Sequence, residues 1–238
     1  MRRIAVVVGL GLGVLTAAGS ASADEPAGFA NQGQFIFSAD RLFSLFSYED
    51  QKSGPDSATT SVSSTHLGLF AGVNTGTVFT VPRLALDYTV TPNITVGGSA
   101  FILGTLGGST TTTNGSMSVS ESNDKVTAWG LAPRAGYILP ITDTFSFWGR
   151  LGFSYISSTV SPASTTTNGT TTTPASTTVS EFDIDVEPMF VFSPVNHFGF
   201  VFGPTLDIPL TGSESSGGTS VNNTEIYFGV QVGLLGYF

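Results

Sequence analysis

The sequence contains no cysteine, little charge of either sign and few basic residues. Its 238 residues include 8 Lys and Arg, 17 Asp and Glu and 2 His, and only 11% are charged. Without cysteine the fold cannot contain a disulfide, so its stability must come from a sheet or a packed core. So few charges are unusual in a soluble domain, and they suit a surface that faces lipid.

Basic residues are too scarce for nucleic-acid recognition. Two of the 8 Lys and Arg are Arg2 and Arg3, close to the N-terminus, so the rest of the chain is strongly acidic. Proteins that bind DNA or RNA generally present clustered Lys and Arg to the phosphates. The sequence therefore predicts no nucleic-acid partner.

The N-terminal segment has the pattern of a secretory signal. Arg2 and Arg3 precede the apolar run IAVVVGLGLGVLTAA, and the segment ends in Ala-Ser-Ala before Asp24. A basic start, a short apolar core and an A-x-A site are typical of signal peptides. We expect residues 1–23 to be cleaved after Sec-type export and residues 24–33 to form a short lead-in. No later run reaches ~18 apolar residues, so no further transmembrane helix is predicted.

The last stretch of the chain, EIYFGVQVGLLGYF at 225–238, alternates between two kinds of side chain. Counting back from Phe238 in steps of two, one set is mostly apolar and the other is mostly small or polar. A strand with one apolar and one polar face is typical of a barrel wall with lipid outside and a polar lumen inside.

Seven further stretches of strand length precede it, separated by connections that are alternately short and long. Short turns fall at 91–93, 140–143 and 193–196, and long polar loops fall at 49–77, 107–124, 159–178 and 211–223. Residues 66–73 are interpreted as an ordered part of the first loop or, alternatively, as part of an extra strand pair. The predicted strands are 34–48, 78–90, 94–105, 125–139, 144–158, 179–192, 197–210 and 225–238.

This arrangement, with its closing strand ending on Phe238, resembles the OmpA/OmpX-like small outer-membrane β-barrels across residues 34–238. The resemblance implies an all-β fold, an eight-stranded antiparallel transmembrane barrel in the bacterial outer membrane, with short periplasmic turns and long extracellular loops. The peptidoglycan-binding domain of OmpA has no counterpart here. Implied partners are outer-membrane lipid, lipopolysaccharide and, through Phe238, the barrel-assembly machinery; a monomer is expected.

Strand parity directs nearly all strand charges into the lumen, where a charged side chain avoids lipid. We predict a mid-barrel charge layer in which arginines pair with carboxylates. Asp40 and Arg41 are adjacent, so a β-bulge near them would turn both inward. Trp148 falls on the inward parity and is interpreted as the mark of another bulge. The predicted layer comprises Arg83, Arg134, Arg150, Asp87, Asp185 and Glu187.

A second set of carboxylates is predicted above this layer, with few cations nearby. Glu181, Asp183, Asp207 and Glu225 fall on three consecutive strands. Carboxylate oxygens suit a hard cation, but carboxylates in a wet barrel mouth are also simply solvated. Both interpretations of this upper acidic cluster remain open.

The sequence offers little material for catalysis. His197 adjoins a short turn, and His66 lies in the serine-rich first loop, where a hydroxyl near a histidine is expected by composition alone. A Ser/His deacylase like the small barrel hydrolases would need an activated nucleophile beside a base. An omptin-like protease would need a larger barrel and further acidic and histidine motifs. We predict no enzyme, catalytic residue, cofactor or metal.

The leading functional prediction is a structural, non-enzymatic outer-membrane barrel whose salt-bridged lumen is plugged or very narrow. One alternative is a small cation-favouring channel through the acidic lumen. The other is a surface adhesin or ligand-binding barrel that acts through its Ser/Thr-rich loops, because loops often carry recognition.

Overall fold

The structure, a computed structural model, describes residues 28–55, 58–67, 78–105, 108–114, 117–167 and 170–238. The predicted signal peptide lies outside these residues. Within them, no helix has both the length and the apolar character needed to cross a membrane.

Strands dominate the described residues, and a 3-10 turn, Val78–Thr80, precedes β3. In chain order the strands are β1 (Phe35–Gly54), β2 (Thr60–Leu67), β3 (Arg83–Thr91), β4 (Ile94–Gly104), β5 (Ser109–Asn114), β6 (Met117–Ser122), β7 (Lys125–Pro140), β8 (Phe145–Ser161), β9 (Thr165–Thr167), β10 (Thr170–Thr172), β11 (Thr177–Val195), β12 (Phe198–Ser216) and β13 (Thr219–Tyr237).

Eight of these strands form a closed antiparallel ring. Their order is β1, β3, β4, β7, β8, β11, β12 and β13, and β13 pairs with β1 to close it. Closure gives every strand of the ring two neighbours, which a membrane-spanning sheet requires because lipid offers its backbone no hydrogen-bond partner. The predicted eight-stranded antiparallel barrel is confirmed.

Side chains alternate between the lumen and the outer surface along each ring strand. In β3, Leu84 is 74% exposed, whereas Asp87 is 1% exposed. This alternation collects large apolar side chains on the outside of the ring, and we call them the apolar belt. Its members include Phe37, Leu84, Leu86, Ile102, Leu131, Leu151, Phe153, Phe182, Phe200, Ile226 and Phe228.

Four ring strands are much longer than a membrane crossing needs. β1 has 20 residues and β11, β12 and β13 have 19 each, whereas a tilted strand crosses a bilayer in about 9 to 11 residues. In β11 the apolar belt ends at Phe182, and the outward side chains beyond it are Ser180 and Thr178. The ladder nevertheless continues to the pair Thr177↔Ser216. The ring therefore rises past the belt as an upper extension formed by 49–54, 177–181 and 211–224.

Three segments interpreted as loops, 49–77, 107–124 and 159–178, contain strands of their own. β2 pairs with β1 from Phe46↔Leu67 to Ser53↔Thr60, so His66 belongs to an added strand. The remainder of the predicted segment 66–73, from 68 onward, lies outside the described residues. The alternative of an extra strand in the first loop therefore agrees with the part that the structure describes.

The Ser/Thr tracts form a separate four-stranded sheet, with strand order β10, β9, β6, β5. Hydroxyl groups line up across it: Thr111 donates to Ser120 at 3.1 Å, and the Oγ1 atoms of Thr166 and Thr171 lie 2.7 Å apart. Ser120 and Thr166 are register partners between β6 and β9. Cross-strand hydroxyl pairs of this kind stabilise a sheet, so these tracts are ordered rather than the low-complexity loops that their composition indicated. We call this the hydroxyl sheet.

The predicted strand 78–90 is wrong in its first part. Residues 78–80 form the 3-10 turn, and β3 begins only at Arg83. The reason is tertiary: Phe79 is fully buried inside the barrel, and its carbonyl accepts a hydrogen bond from Arg41 Nη1 at 2.9 Å. Pro82, directly before β3, has no N–H to continue a ladder.

Candidate functional site

The interior of the ring holds a layer of ion pairs on the inward faces of its strands. Eight arginine–carboxylate pairs with an N–O distance of 4.0 Å or less connect four arginines with five carboxylates, and every one of these side chains is at most 7% exposed. We call this set the ion-pair layer. It comprises Arg41, Arg83, Arg134, Arg150, Asp40, Asp87, Asp185, Glu187 and Asp207. All six residues of the predicted charge layer lie in it.

Arg134 is the most fully bound of the four guanidinium groups. Its Nε and Nη2 donate to the two oxygens of Asp87 at 3.0 and 2.6 Å, and its Nη1 donates to Asp40 at 2.6 Å. This two-pronged contact uses the planar fork of arginine, which a lysine could not reproduce. β7 places Arg134 directly opposite Gly97 of β4 and Gly152 of β8, so small neighbours leave room for its stem.

Arg41 enters the layer because β1 is bulged. Residues 40–42 of β1 lie between the register pairs Ala39↔Leu234 and Phe43↔Val232, and Arg41 has a φ of +55°. The bulge turns Asp40 and Arg41 inward together, at 2% exposure each, as the sequence predicted. Arg41 then donates to both oxygens of Asp207 at 2.8 and 2.9 Å and to Glu187 at 3.0 Å.

Glu187 and Trp148 connect the other arginines. Glu187 lies within 3.0 Å of Arg41 and Arg150 and 3.5 Å of Arg134. The Trp148 ring lies under two guanidinium groups, with its centroid 4.8 Å from Arg150 Cζ and 5.6 Å from Arg134 Cζ. These cation–π contacts add to the ion pairs because both guanidinium groups are shielded from bulk water.

Trp148 faces inward as its parity predicted, but the bulge inferred from it is wrong. The pairs Ile138↔Trp148 and Met189↔Trp148 continue unshifted ladders on both sides. The ring is fully buried, and its Nε1 donates to Thr95 Oγ1 at 3.1 Å. Gly136 makes the space, since a Cβ there would lie 2.5 Å from Trp148 Nε1.

Arg83 is held more loosely than the other three arginines. Its Nη1 lies 4.0 Å from Asp185 Oδ2, and its Cζ lies 5.6 Å from the centroid of the Phe101 ring. Among the described residues, no acceptor forms a hydrogen bond with its Nε or Nη2. A cavity of about 10 Å³, the space for one water molecule, lies beside it.

An apolar cap covers the ion-pair layer on the side of the upper extension. The Phe79 ring stacks on the Tyr227 ring with centroids 5.3 Å apart and planes 12° from parallel. Phe101, Ala128 and Ile156 complete this buried cluster. The cap was missed by the sequence analysis because strand alternation gives no signal for a loop turn that folds into the lumen.

A second cap, residues 28–34, covers the opposite side of the layer. Phe29 packs edge-on against Trp148 and Tyr237, with ring centroids 5.8 and 5.3 Å apart. The Gln34 side chain fastens the segment by accepting hydrogen bonds from the N–H groups of Ala30 and Asn31, both at 3.0 Å. The lead-in predicted at 24–33 thus contributes to the packed interior.

The residues of the upper acidic cluster lie close to one another but differ in their partners. Asp207 belongs to the ion-pair layer because the bulge brings Arg41 against it. Asp183 is fully buried and accepts a hydrogen bond from Ser154 at 3.3 Å, whereas Glu181 accepts one from the backbone N–H of Glu225 at 2.6 Å. In the part of the chain that the structure describes, no three His, Cys, Asp or Glu side chains are arranged to hold a metal ion.

The two histidines occupy different ends of the barrel. His66 lies on β2 opposite Ser47. The ring of His197 stacks on that of Phe238, with centroids 5.6 Å apart, and its Nδ1 lies 2.7 Å from the carbonyl oxygen of Tyr237. His197 therefore packs against the C-terminus of the closing strand.

Comparison with known proteins finds solved structures that align over most of this chain at low identity. No family model and no curated protein matches the sequence. Among solved structures, the outer membrane protein OprG of Pseudomonas aeruginosa aligns at 11% identity and a TM-score of 0.43, over 86% of this chain and 96% of that one. The attachment invasion locus protein Ail of Yersinia pestis aligns at 13% identity and a TM-score of 0.30, over 85% and 99%. The outer membrane protease OmpT of Escherichia coli aligns at 8% identity and a TM-score of 0.39, over 91% and 100%.

At these identities the similarity concerns the fold alone. The strand pairing by itself closes a ring of eight antiparallel strands, which is the architecture that the resemblance to OmpA/OmpX-like outer-membrane barrels implied. A fold of this kind assigns no activity by itself.

Proposed function

We propose that this protein is a non-enzymatic integral barrel of the bacterial outer membrane whose lumen is closed, and that it anchors a β-structured extension at the cell surface. The observation that carries the proposal is the filled interior. A fully buried ion-pair layer lies between an apolar cap around Phe79 and another around Phe29. Eight strands enclose a space that side chains alone can fill.

The apolar belt supports the location. Leu84, Leu151 and Ile102 expose 59% or more of their surface on the outside of the ring. Large apolar side chains in that number are stable in lipid and costly in water. Export through a Sec-type signal peptide, insertion by the assembly machinery through the strand ending in Phe238, contact with lipopolysaccharide and a monomeric state belong to the same proposal.

The first test is ionic conductance across a planar bilayer. We expect the refolded barrel, verified by heat-modifiable gel mobility, to give no discrete current steps because the ion-pair layer leaves no continuous water path. The matched variant Glu187→Gln removes a charge shared by three arginines and should give steps if that layer is what closes the lumen. Steps from the unmodified protein, selective for cations, would instead favour the narrow channel through the acidic lumen.

A surface binding function is the second candidate, and the upper extension favours it. The ladder continues beyond the apolar belt, and the hydroxyl sheet adds a second ordered surface with exposed Thr111 and Thr171. An ordered surface of this size can recognise a ligand, whereas a mere hydrophilic cover needs no such order.

Exchange of the hydroxyl hairpins separates these two candidates. Replacing 107–124 with an Asn-Gly turn removes β5 and β6 and should leave heat-modifiable mobility unchanged, because the ring does not depend on them. Loss of attachment to host cells or to phage in this variant, with attachment retained after Asp143→Asn at the opposite end of the barrel, would establish the binding function. Equal attachment by both variants would exclude the hydroxyl sheet as the binding surface.

A further inference from the structure

Arg83 and the cavity beside it form a site that the closed-lumen function leaves unexplained. The cavity, about 10 Å³, is lined by Arg83, Arg134, Arg150, Ser99, Asp185 and Glu187 together with small and apolar wall residues. Arg83 is 3% exposed, so its guanidinium has lost contact with bulk water. Burying a guanidinium without replacing its hydrogen bonds is unfavourable, so something must satisfy it.

The unsatisfied atoms on the cavity wall are donors. In the described part of the chain, Arg83 Nε, Arg83 Nη2 and Arg150 Nε have no hydrogen-bond partner. The carboxylates on the same wall are engaged: Asp185 accepts from Ser154 at 2.8 Å, and Glu187 contacts three arginines. The site therefore requires an acceptor, and a metal cation is unsuitable because these donors would repel it.

Charge and size select the acceptor. The four guanidinium groups of the ion-pair layer already face five carboxyl groups, so the layer does not need an added anion to balance its arginines. The cavity has room for one water-sized molecule. A water molecule can accept from Arg83 and also donate to a carboxylate, which has lone pairs beyond those already used.

We infer that this cavity binds a single ordered water molecule that joins Arg83 to the ion-pair layer. The separation of 4.0 Å between Arg83 Nη1 and Asp185 Oδ2 is too long for a hydrogen bond and suits a water-mediated contact. Arg41, Arg134 and Arg150 hold their carboxylates directly. Arg83 is therefore the arginine of the layer that reaches its carboxylate through water. Its guanidinium is also the one that can move at the least cost in free energy.

A double-mutant cycle tests whether the water is present. Ala132 lines the cavity without contributing a polar side chain, so Ala132→Val adds methyl groups that would displace the water. In the unmodified barrel we expect the equilibrium constant for unfolding in urea to rise about five- to thirtyfold, because Arg83 loses its acceptor. In the Arg83→Met background the same change should leave that constant unchanged or lower it, because methionine needs no acceptor.

The control is Ala135→Val, three residues along the same strand and on the outer face, which reports the effect of valine on β7 alone. If Ala132→Val stabilises the unmodified barrel beyond this control, the cavity is dry and the inference is overturned. The same holds if Ala132→Val has equal effects in both backgrounds, because the coupling to Arg83 would then be absent.

A crystal structure that resolves ordered solvent tests the identity of the acceptor. A peak within hydrogen-bond distance of Arg83 Nε or Nη2, without anomalous signal after a bromide soak, supports water. A bromide signal there identifies an anion site and overturns the inference, as does a cavity without density. This inference rests on the proposed closed lumen, but the two claims can fail independently. Conductance steps from a barrel that contains the water would overturn the closed lumen and leave the water site standing.

Discussion

Replacing Arg134 with methionine is expected to lower the free energy of unfolding by about 3 to 5 kcal/mol. Removal of this guanidinium leaves Asp87 without its two-pronged partner and Asp40 with only the longer contacts to Arg150. Both carboxylates stay buried, and an uncompensated buried charge is strongly destabilising. Urea unfolding in lipid vesicles, followed by tryptophan fluorescence, measures the loss.

The matched control is Arg83→Met in the same layer. Arg83 has one carboxylate contact, at 4.0 Å, so its removal should cost far less than removal of Arg134 and can even stabilise the barrel. Equal losses from the two variants would contradict the view that direct hydrogen bonds, rather than charge alone, hold the ion-pair layer together.

The second large effect is expected from Phe79→Ala. The ring is fully buried against Tyr227, and deleting it should cost about 3 to 5 kcal/mol because a cavity replaces it. The same cavity opens the cap around Phe79 to water, while the ion-pair layer stays in place. Current steps in planar bilayers that the unmodified barrel does not give would therefore show that the cap takes part in closing the lumen.

Phe153→Ala supplies the comparison for this variant. Phe153 is 49% exposed in the apolar belt and stacks on Phe182, so its removal should leave the current unchanged. If Phe79→Ala gives no current steps in a sample with normal heat-modifiable mobility, the ion-pair layer closes the lumen without the cap.

The sequence predicts the ring and most of the ion-pair layer because both follow from strand parity. A side chain two residues away faces the same side, so Arg83, Arg134, Arg150 and Glu187 could be directed inward by counting alone. The same counting identified the inward face of Trp148. Its interpretation as a bulge failed because an indole fits into the lumen where the neighbouring strand β7 carries Gly136.

Parity fails where the chain leaves the regular ladder. Arg41 reaches the layer only through a bulge that shifts the register of β1. Parity alone did not reveal this contact, so its partner Asp207 was predicted in the upper acidic cluster and not in the charge layer. Phe79 was counted as a strand residue because its apolar neighbourhood does not distinguish a lipid-facing strand from a turn inside the barrel. The hydroxyl sheet was missed because its pairs, such as Ser120↔Thr166, join two loops that are distant in the sequence.

The bulge at Arg41 also constrains the order of assembly. Arg41 hydrogen-bonds Asp207 and Glu187, which lie 166 and 146 residues later in the chain. Contacts at such separations cannot form while the C-terminal strands are still being added. In a partly inserted sheet, Arg41 and its carboxylate partners would face lipid without one another. Each unpaired charge costs free energy there, and this cost is removed when the charges pair. We therefore expect β1 to close on β13 in the same step in which the charges enter the membrane interior. The N-terminal strands, which carry Arg41 and Arg83, should not insert before this step.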